Sequence, residues 1–252
     1  MDQSTAEKLL EINRRFYTEF GDAFAATRRR IQPGIGRILE GIPADRPSDW
    51  LDLGCGSGAL GKLWASQGRS GTYTGLDFSG PLLREAEKET TGLSDEQLTL
   101  RYAAGDLMDP GWPDRFSGKK FDGVLAFASL HHIPGRDNHR RIFESVRGLL
   151  KPGGTFILSV WQFQNSPKLM ARVQPWELVG LSGGQLEAGD TLLDWLFALP
   201  GSSEKTGLRY VHLFHEKELE DLADAAGFSP RELFYSDGAE GNLALYLRLA
   251  LK

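Results

Sequence analysis

Cysteine, long apolar runs and net charge are all scarce in this chain, and each scarcity closes off a class of protein. A single cysteine, Cys55, stands among 252 residues, so no intramolecular disulfide can form and no metal site is expected. That cysteine usage suits a reducing cytoplasm, which is the expected location. No apolar run approaches the roughly 20 residues of a membrane span, and no membrane partner is expected. Residues 1–8 are polar, and the first apolar pair, Leu9-Leu10, is followed by Glu11 and then Arg14-Arg15, unlike a secretory leader. A formal net charge of −5 argues against a protein that coats nucleic acid non-specifically. One local exception is basic: residues 24–38 carry Arg28, Arg29, Arg30 and Arg37 with no acid among them.

What is present is the composition of a globular protein with a full core, 40% hydrophobic and 25% charged, and one domain with an insertion is the default. Leu9, Leu10, Ile12, Phe16 and Phe20 recur at three- and four-residue spacings over 5–20, which predicts an amphipathic helix. A second helical pattern runs to Leu39, interrupted near Pro33-Gly34. Short apolar runs follow at 50–53, 72–76 and 98–103, each leading into helix-like sequence, and then at 121–128 and 155–160 with a helical stretch at 138–150 between them. Such β/α alternation predicts a parallel sheet covered on both faces. Residues 162–210 break the pattern with Trp-rich pieces punctuated by Gly, Pro and Ser, and are expected to form an insertion over the active site. A helix at 216–226, a strand at 228–235 and a final strand at 242–249 close the chain, the last two joined by the turn at 237–241. The expected divisions are helices at 1–48, a ligand-binding core at 49–161, a lid at 162–210 and a helix with hairpin at 211–252.

The chemistry starts in Asp52-Leu53-Gly54-Cys55-Gly56-Ser57-Gly58. Glycines at alternate positions let the backbone turn tightly and approach a ligand with no Cβ in the way. Gly56-x-Gly58-x-x-Gly61 also fits a dinucleotide-binding loop, so the neighbours decide. A dehydrogenase loop must accommodate a pyrophosphate, whereas S-adenosylmethionine carries a sulfonium and an amino acid and tolerates acidity. Asp52 precedes the glycines, Asp77 ends the second strand where a carboxylate accepts from ribose hydroxyls, and Asp106 ends the third where it can accept from an adenine amino group. A lone strand-end Asp is often just a helix cap, but this ordered set is more specific.

With these residues the chain resembles the class I S-adenosylmethionine-dependent methyltransferases. Phe121-Asp122-Gly123-Val124-Leu125 resembles their fourth strand, and Leu149-Leu150-Lys151-Pro152-Gly153-Gly154 their turn into the fifth. The resemblance implies a Rossmann-like, seven-stranded, mostly parallel sheet with helices on both faces and a C-terminal antiparallel hairpin. It also implies S-adenosyl-L-methionine as cofactor, bound by Asp52, Gly54, Cys55, Gly56, Gly58, Asp77, Phe78, Gly105, Asp106, Leu107 and Ala128. Four further pieces resemble a narrower group, the tRNA wobble-uridine carboxyl methyltransferases: Phe24-Ala25-Ala26-Thr27-Arg28-Arg29 with Pro33, Ser129-Leu130-His131-His132-Ile133, Ser159-Val160-Trp161-Gln162, and Arg209-Tyr210-Val211-His212-Leu213-Phe214-His215. The insertion at 181–204 and the acidic total depart from that group.

The narrower resemblance implies esterification of a carboxymethyl group on tRNA, with an activator subunit in some members. A carboxylic acid with a pKa of about 4 is already ionised at neutral pH, so no general base is required. The acceptor would instead be oriented by a cation, for which the planar fork of arginine is suited. The candidates are Arg28, Arg29 and Arg209, assisted by His131 and His215. One of His131 and His132 is expected to pack while the other faces the pocket; His139 and Arg140-Arg141 are expected at the surface, and Trp161 and Trp176 in the core. The competing reading is a small-molecule O- or N-methyltransferase with 162–210 as lid over an apolar acceptor. A non-catalytic scaffold fits poorly with the intact glycines and acids. Asp77→Ala is expected to abolish transfer of labelled methyl from S-adenosylmethionine to any acceptor, measured by scintillation counting; retained transfer would remove Asp77 from the cofactor site.

Overall fold

Apolar runs that alternate with amphipathic helices leave the chain one economical arrangement, a parallel sheet with a helical layer on each side. The computed structural model describes residues 1–26, 30–197 and 205–252. Helices α1 (Gln3–Ala26) and α2 (Pro33–Glu40) lead into strand β1 (Ser48–Leu53). There follow α3 (Ala59–Ser66), β2 (Gly71–Asp77), α4 (Gly80–Glu89), β3 (Leu98–Ala104), β4 (Phe121–Phe127), α5 (Arg136–Leu149) and β5 (Leu150–Trp161). A short helix α6 (Pro167–Met170) and strands β6 (Val173–Gln174), β7 (Asp190–Phe197) and β8 (Lys205–His212) precede α7 (Glu216–Ala225), β9 (Phe228–Ser236) and β10 (Ala244–Leu251). The main sheet has seven strands in the order β3-β2-β1-β4-β5-β10-β9, and β10 runs antiparallel to both of its neighbours.

Alternate residues of each strand serve opposite faces. Leu51, Leu53, Val124, Phe156 and Leu158 pack with Phe143, Val146, Leu219 and Leu222 of α5 and α7. Trp50, Tyr73, Leu125, Ile157 and Tyr246 pack with Ile38, Leu39 and Trp64 of α2 and α3 on the other side. Pro33, expected to interrupt a helix, instead occupies the first turn of α2, where its missing N–H costs nothing. The helix expected after β3 is reduced to a 3₁₀ turn at Trp112–Phe116. Pro110-Gly111 and Pro113 remove the donors and the backbone restraint a longer helix needs, and Trp112 and Phe116 are buried as anchors.

The insertion is more regular than its composition suggests, because β6, β7 and β8 form a three-stranded antiparallel sheet. Strand β8 continues to His212, so it runs through the division expected at residue 210. This sheet is built against α1: Phe16 and Phe20 meet the Trp195 ring edge-on at 5.6 Å each. Gly207 lets them in, since a Cβ there would lie 2.7 Å from the Phe16 ring. Asn13, buried in α1, donates from Nδ2 to the carbonyls of His132 (3.1 Å) and Tyr210 (3.0 Å), and its Oδ1 accepts from the Tyr210 N–H at 2.9 Å. Asn13→Ala strips partners from buried backbone groups and is expected to cost about 3 kcal/mol, lowering the melting temperature by roughly 10 °C. Hydrogen exchange should rise first in α1; unchanged protection there would sink this account of the anchor.

Candidate active site

Strand β1 ends in the glycine loop, and two of its glycines are fixed by geometry. Gly56 has φ +54°, with open space where a Cβ would stand, and its N–H donates to Asp77 Oδ2 at 2.9 Å. Gly58, at φ +77°, starts α3, and a Cβ there would lie 2.7 Å from Ala86 Cβ of α4. Gly56 thus opens the loop toward a ligand, whereas Gly58, expected to touch one, is absent from the cavity wall and packs α3 against α4. The cavity above the loop has a volume of about 310 Å³ and is lined by Asp52, Gly54, Cys55, Gly56, Asp77, Phe78, Gly105, Asp106, Leu107 and Ala128 of the expected set.

Three carboxyls face this space from three strand ends. Asp52 is buried and accepts from the Tyr73 hydroxyl. Burial and, less strongly, the Asp77 charge push its carboxyl up to about 7 against the Tyr73 hydroxyl bond, which lowers it. Asp77 accepts from the N–H groups of Ser79 (2.8 Å) and Gly56 (2.9 Å); burial raises its pKa while those donors lower it. Each carboxylate oxygen can accept more than one hydrogen bond, so these bonds brace Asp77 and leave it capacity toward a ligand. Asp106 accepts from Met108 N–H at 2.9 Å and forms an ion pair with Arg14 at 2.7 Å, a partner not anticipated from the sequence. Ala128, at φ +52°, holds a left-handed conformation rare for a residue with a Cβ. Its N–H donates to the Ser159 carbonyl at 3.0 Å.

The roof is α1, which lines the cavity through Leu10, Asn13, Arg14 and Tyr17. Among the described residues the insertion reaches the cavity only through Arg209, so its sheet supports the roof and does not itself cover the site as expected. Arg209 is 2% exposed, with its guanidinium 4.9 Å from the Phe16 ring centre and 5.2 Å from that of Trp161. Trp161 is buried in the core as expected, packed with Phe163, Leu193 and Val211, and also lines the same cavity. His131 stacks on Trp161 (centroids 5.6 Å, 10° between planes), and its Nδ1 accepts from the Trp161 N–H at 3.3 Å. His132 donates from Nδ1 to the Tyr210 carbonyl at 3.2 Å, so its Nε2 accepts from the Tyr17 hydroxyl at 3.0 Å. Both histidines therefore line the cavity, with tautomers assigned from their hydrogen-bond partners.

Two expectations about histidines are corrected. His215 is exposed at the start of α7, outside the cavity, because it follows the buried Phe214 and serves as the residue before the first helical turn. His139, expected at the surface, is 0% exposed; burial and the neighbouring His212 push its pKa down to about 4. Arg28 and Arg29 lie outside the described residues, while Arg30 is exposed and lines the cavity. The buried histidine of the terminal motif is His212, which sits between Asp190 (2.8 Å) and Glu218 (3.1 Å). Tyr210 donates its hydroxyl to the same Asp190 oxygen at 2.8 Å. The signal for this pairing is the period of a strand, which puts residues 210 and 212 on one face and Arg209 on the other.

A glycine loop with an open approach, three strand-end carboxyls and an aromatic, cationic inner wall occur together in one enclosed space. The family described as methyltransferase domain matches residues 24–233. The chain belongs to that family. This methyltransferase is 29% identical over 215 residues to a protein of Encephalitozoon cuniculi named for methyltransferase activity, with 85% of each chain covered. It is 26% identical to the Arabidopsis thaliana tRNA (carboxymethyluridine(34)-5-O)-methyltransferase, over 63% of this chain and 35% of that one. Its fold is that of an S-adenosylmethionine-dependent methyltransferase from Clostridium acetobutylicum, with TM-score 0.65, 17% identity, and 93% and 98% of the two chains covered. The residues present fit that cofactor: Gly56 leaves open space beside the loop, and the carboxyls of Asp52, Asp77 and Asp106 line the cavity around it. No described helix is long and apolar enough to cross a membrane.

The His212 cluster gives this methyltransferase a pH-dependent support. Burial alone would lower the His212 pKa, but hydrogen bonds to Asp190 and Glu218, with their charges, raise it to about 9. An unfolded histidine titrates near 6.5, so the stabilisation is complete below about pH 6.5 and is lost as pH rises through about 9. The melting temperature is expected to fall by several degrees between pH 7 and pH 10, and His212→Gln to flatten that slope in differential scanning calorimetry. An equal slope in both proteins would assign the loss to other groups.

Proposed function

We propose that this protein transfers a methyl group from S-adenosylmethionine to a carboxylate oxygen, the acceptor being the carboxymethyl group of a wobble uridine in tRNA. The observation that carries the reading is the inner wall of the cavity, where a buried arginine stands beside two histidines whose basic nitrogens are already engaged. In the neutral ring of His131, Nδ1 accepts from Trp161 N–H, so the proton is on Nε2 and the ring is a donor. In His132 the accepting nitrogen is taken by the Tyr17 hydroxyl. Neither ring presents a base to an acceptor hydroxyl, whereas a carboxylate needs none.

S-adenosylmethionine, when bound, supplies a methyl group already activated on a sulfonium, so no leaving group has to be protonated. Asp77 and Asp106 would hold the ribose and adenine, and Asp52 would add negative charge beneath the loop. Arg209 would grip the acceptor carboxylate in a fixed orientation, leaving one oxygen lone pair for the new O–C bond as the S–C bond breaks. Burial strengthens that grip, because a guanidinium away from water interacts more strongly with an anion than one in solvent. A small-molecule acceptor is the second reading. It is favoured by the Arg14–Asp106 ion pair and the Tyr17–Phe78 ring contact at 5.9 Å, which join the roof to the strand ends and suit an acceptor small enough to be enclosed.

Labelled methyl is expected in tRNA bearing carboxymethyluridine and to be released by mild base, as an ester must be. Arg209→Lys keeps the charge and loses the fork, and is expected to lower kcat/KM about 10- to 100-fold while cofactor affinity stays put. At saturating S-adenosylmethionine, whose positive charge would hold Asp52 ionised, the wild-type rate should be flat between about pH 6 and pH 8, since an acceptor of pKa about 4 is ionised throughout. A rate that climbs tenfold per pH unit, or base-stable label, would replace the carboxylate by a hydroxyl or nitrogen. Label found only in a small-molecule pool moves the acceptor to the second reading.

A further inference from the structure

We propose that Arg14 is a side-chain gate on the adenine end of the cofactor site, competing with the cofactor for the carboxylate of Asp106; this rests on the reading of Asp106 as the adenine acceptor. Arg14 Nη2 lies 2.7 Å from Asp106 Oδ2, and the side chains are 46% and 30% exposed. The other oxygen, Oδ1, takes the Met108 N–H at 2.9 Å. Each oxygen keeps further acceptor capacity, but a long cationic side chain that can leave stands against Oδ2, in the space a ligand's donor needs, whereas the backbone on Oδ1 stays in place. Both Arg14 and Asp106 line the cavity, so the ion pair borders the space a ligand would fill.

The rest of the roof is not built to move this way. Asn13, the neighbour of Arg14, ties α1 to Tyr210 and His132 by three bonds, and Phe16 locks the next turn onto Trp195. Opening α1 would break those contacts, whereas opening the Arg14 contact needs only rotation of its own side chain. A partly exposed ion pair of this kind is weak and salt-sensitive, which is what a gate requires: closed without a ligand, and displaced by one.

Titration calorimetry of the full chain with two ligands tests this. S-adenosylhomocysteine carries the same adenosine as S-adenosylmethionine but no sulfonium charge, so it separates competition for Asp106 from repulsion between Arg14 and a cationic ligand. Arg14→Met is expected to bind both ligands about threefold more tightly at low ionic strength, with the advantage fading toward 1 M salt. Asp106→Asn is expected to weaken both, and adding Arg14→Met to it should give no tightening. Tighter binding of S-adenosylmethionine alone would make Arg14 a repelling charge and overturn the gate. Weaker binding of both would make Arg14 a cofactor ligand and overturn the gate equally. Unchanged affinity in Asp106→Asn would remove the adenine reading itself, and the gate with it, while leaving the methyltransferase assignment intact. Melting curves of Arg14→Met check that the variant is folded.

Discussion

The peptide group of Tyr210 holds the upper half of this molecule together. Its N–H and carbonyl are bound by Asn13 of α1, its carbonyl also accepts from His132, and its hydroxyl reaches Asp190. Backbone groups buried away from water must find partners, and here they find them in a helix and a loop after β4, while the side-chain hydroxyl reaches a neighbouring strand. The roof, the cavity histidines and the direction in which Arg209 points all follow from that junction. Removing any one participant leaves donors or acceptors stranded in a place water does not reach.

Below the junction the electrostatics run in the opposite sense. Carboxyls crowd the strand ends, and burial makes ionisation of Asp52 so costly that its pKa stands at about 7. A site in that condition favours a ligand that brings positive charge, because such a ligand relieves both the desolvation and the repulsion from Asp77. The inner wall is cationic through Arg209, which is flanked by aromatic faces that are themselves attractive to cations. The cavity therefore carries carboxyls at the strand ends and a buried guanidinium on its inner wall.

The lower half is legible in the sequence because its determinants are local. Asp77 meets the glycine loop across 21 positions of chain, and each of the strands β1 to β5 carries a short apolar run. The upper half is not, since its contacts join residues far apart that have no common pattern. Nothing in the sequence joins Arg14 to Asp106, 92 positions away, and His139 reads as polar surface until His212 and Phe214 pack against it. The insertion reads as irregular chain because glycines and prolines mask its short strands, and because Trp195 of β7 finds its partners on α1. His215 stands out in place of His212 only while the period of the strand within that motif is left out of account.

The bond between Asn13 and Tyr210 spans 197 positions, and this sets an order of events during synthesis. Helix α1 leaves the ribosome well before β8, the strand that fixes it, so α1 waits for its seat while the chain between them is made. Until then its apolar face has nothing to rest on and is a natural target for chaperones. A nascent chain that has reached β5 holds every strand end of the floor of the site, but it cannot close it. Enclosure, and with it any chemistry that depends on keeping water out, is deferred until β8 has been made.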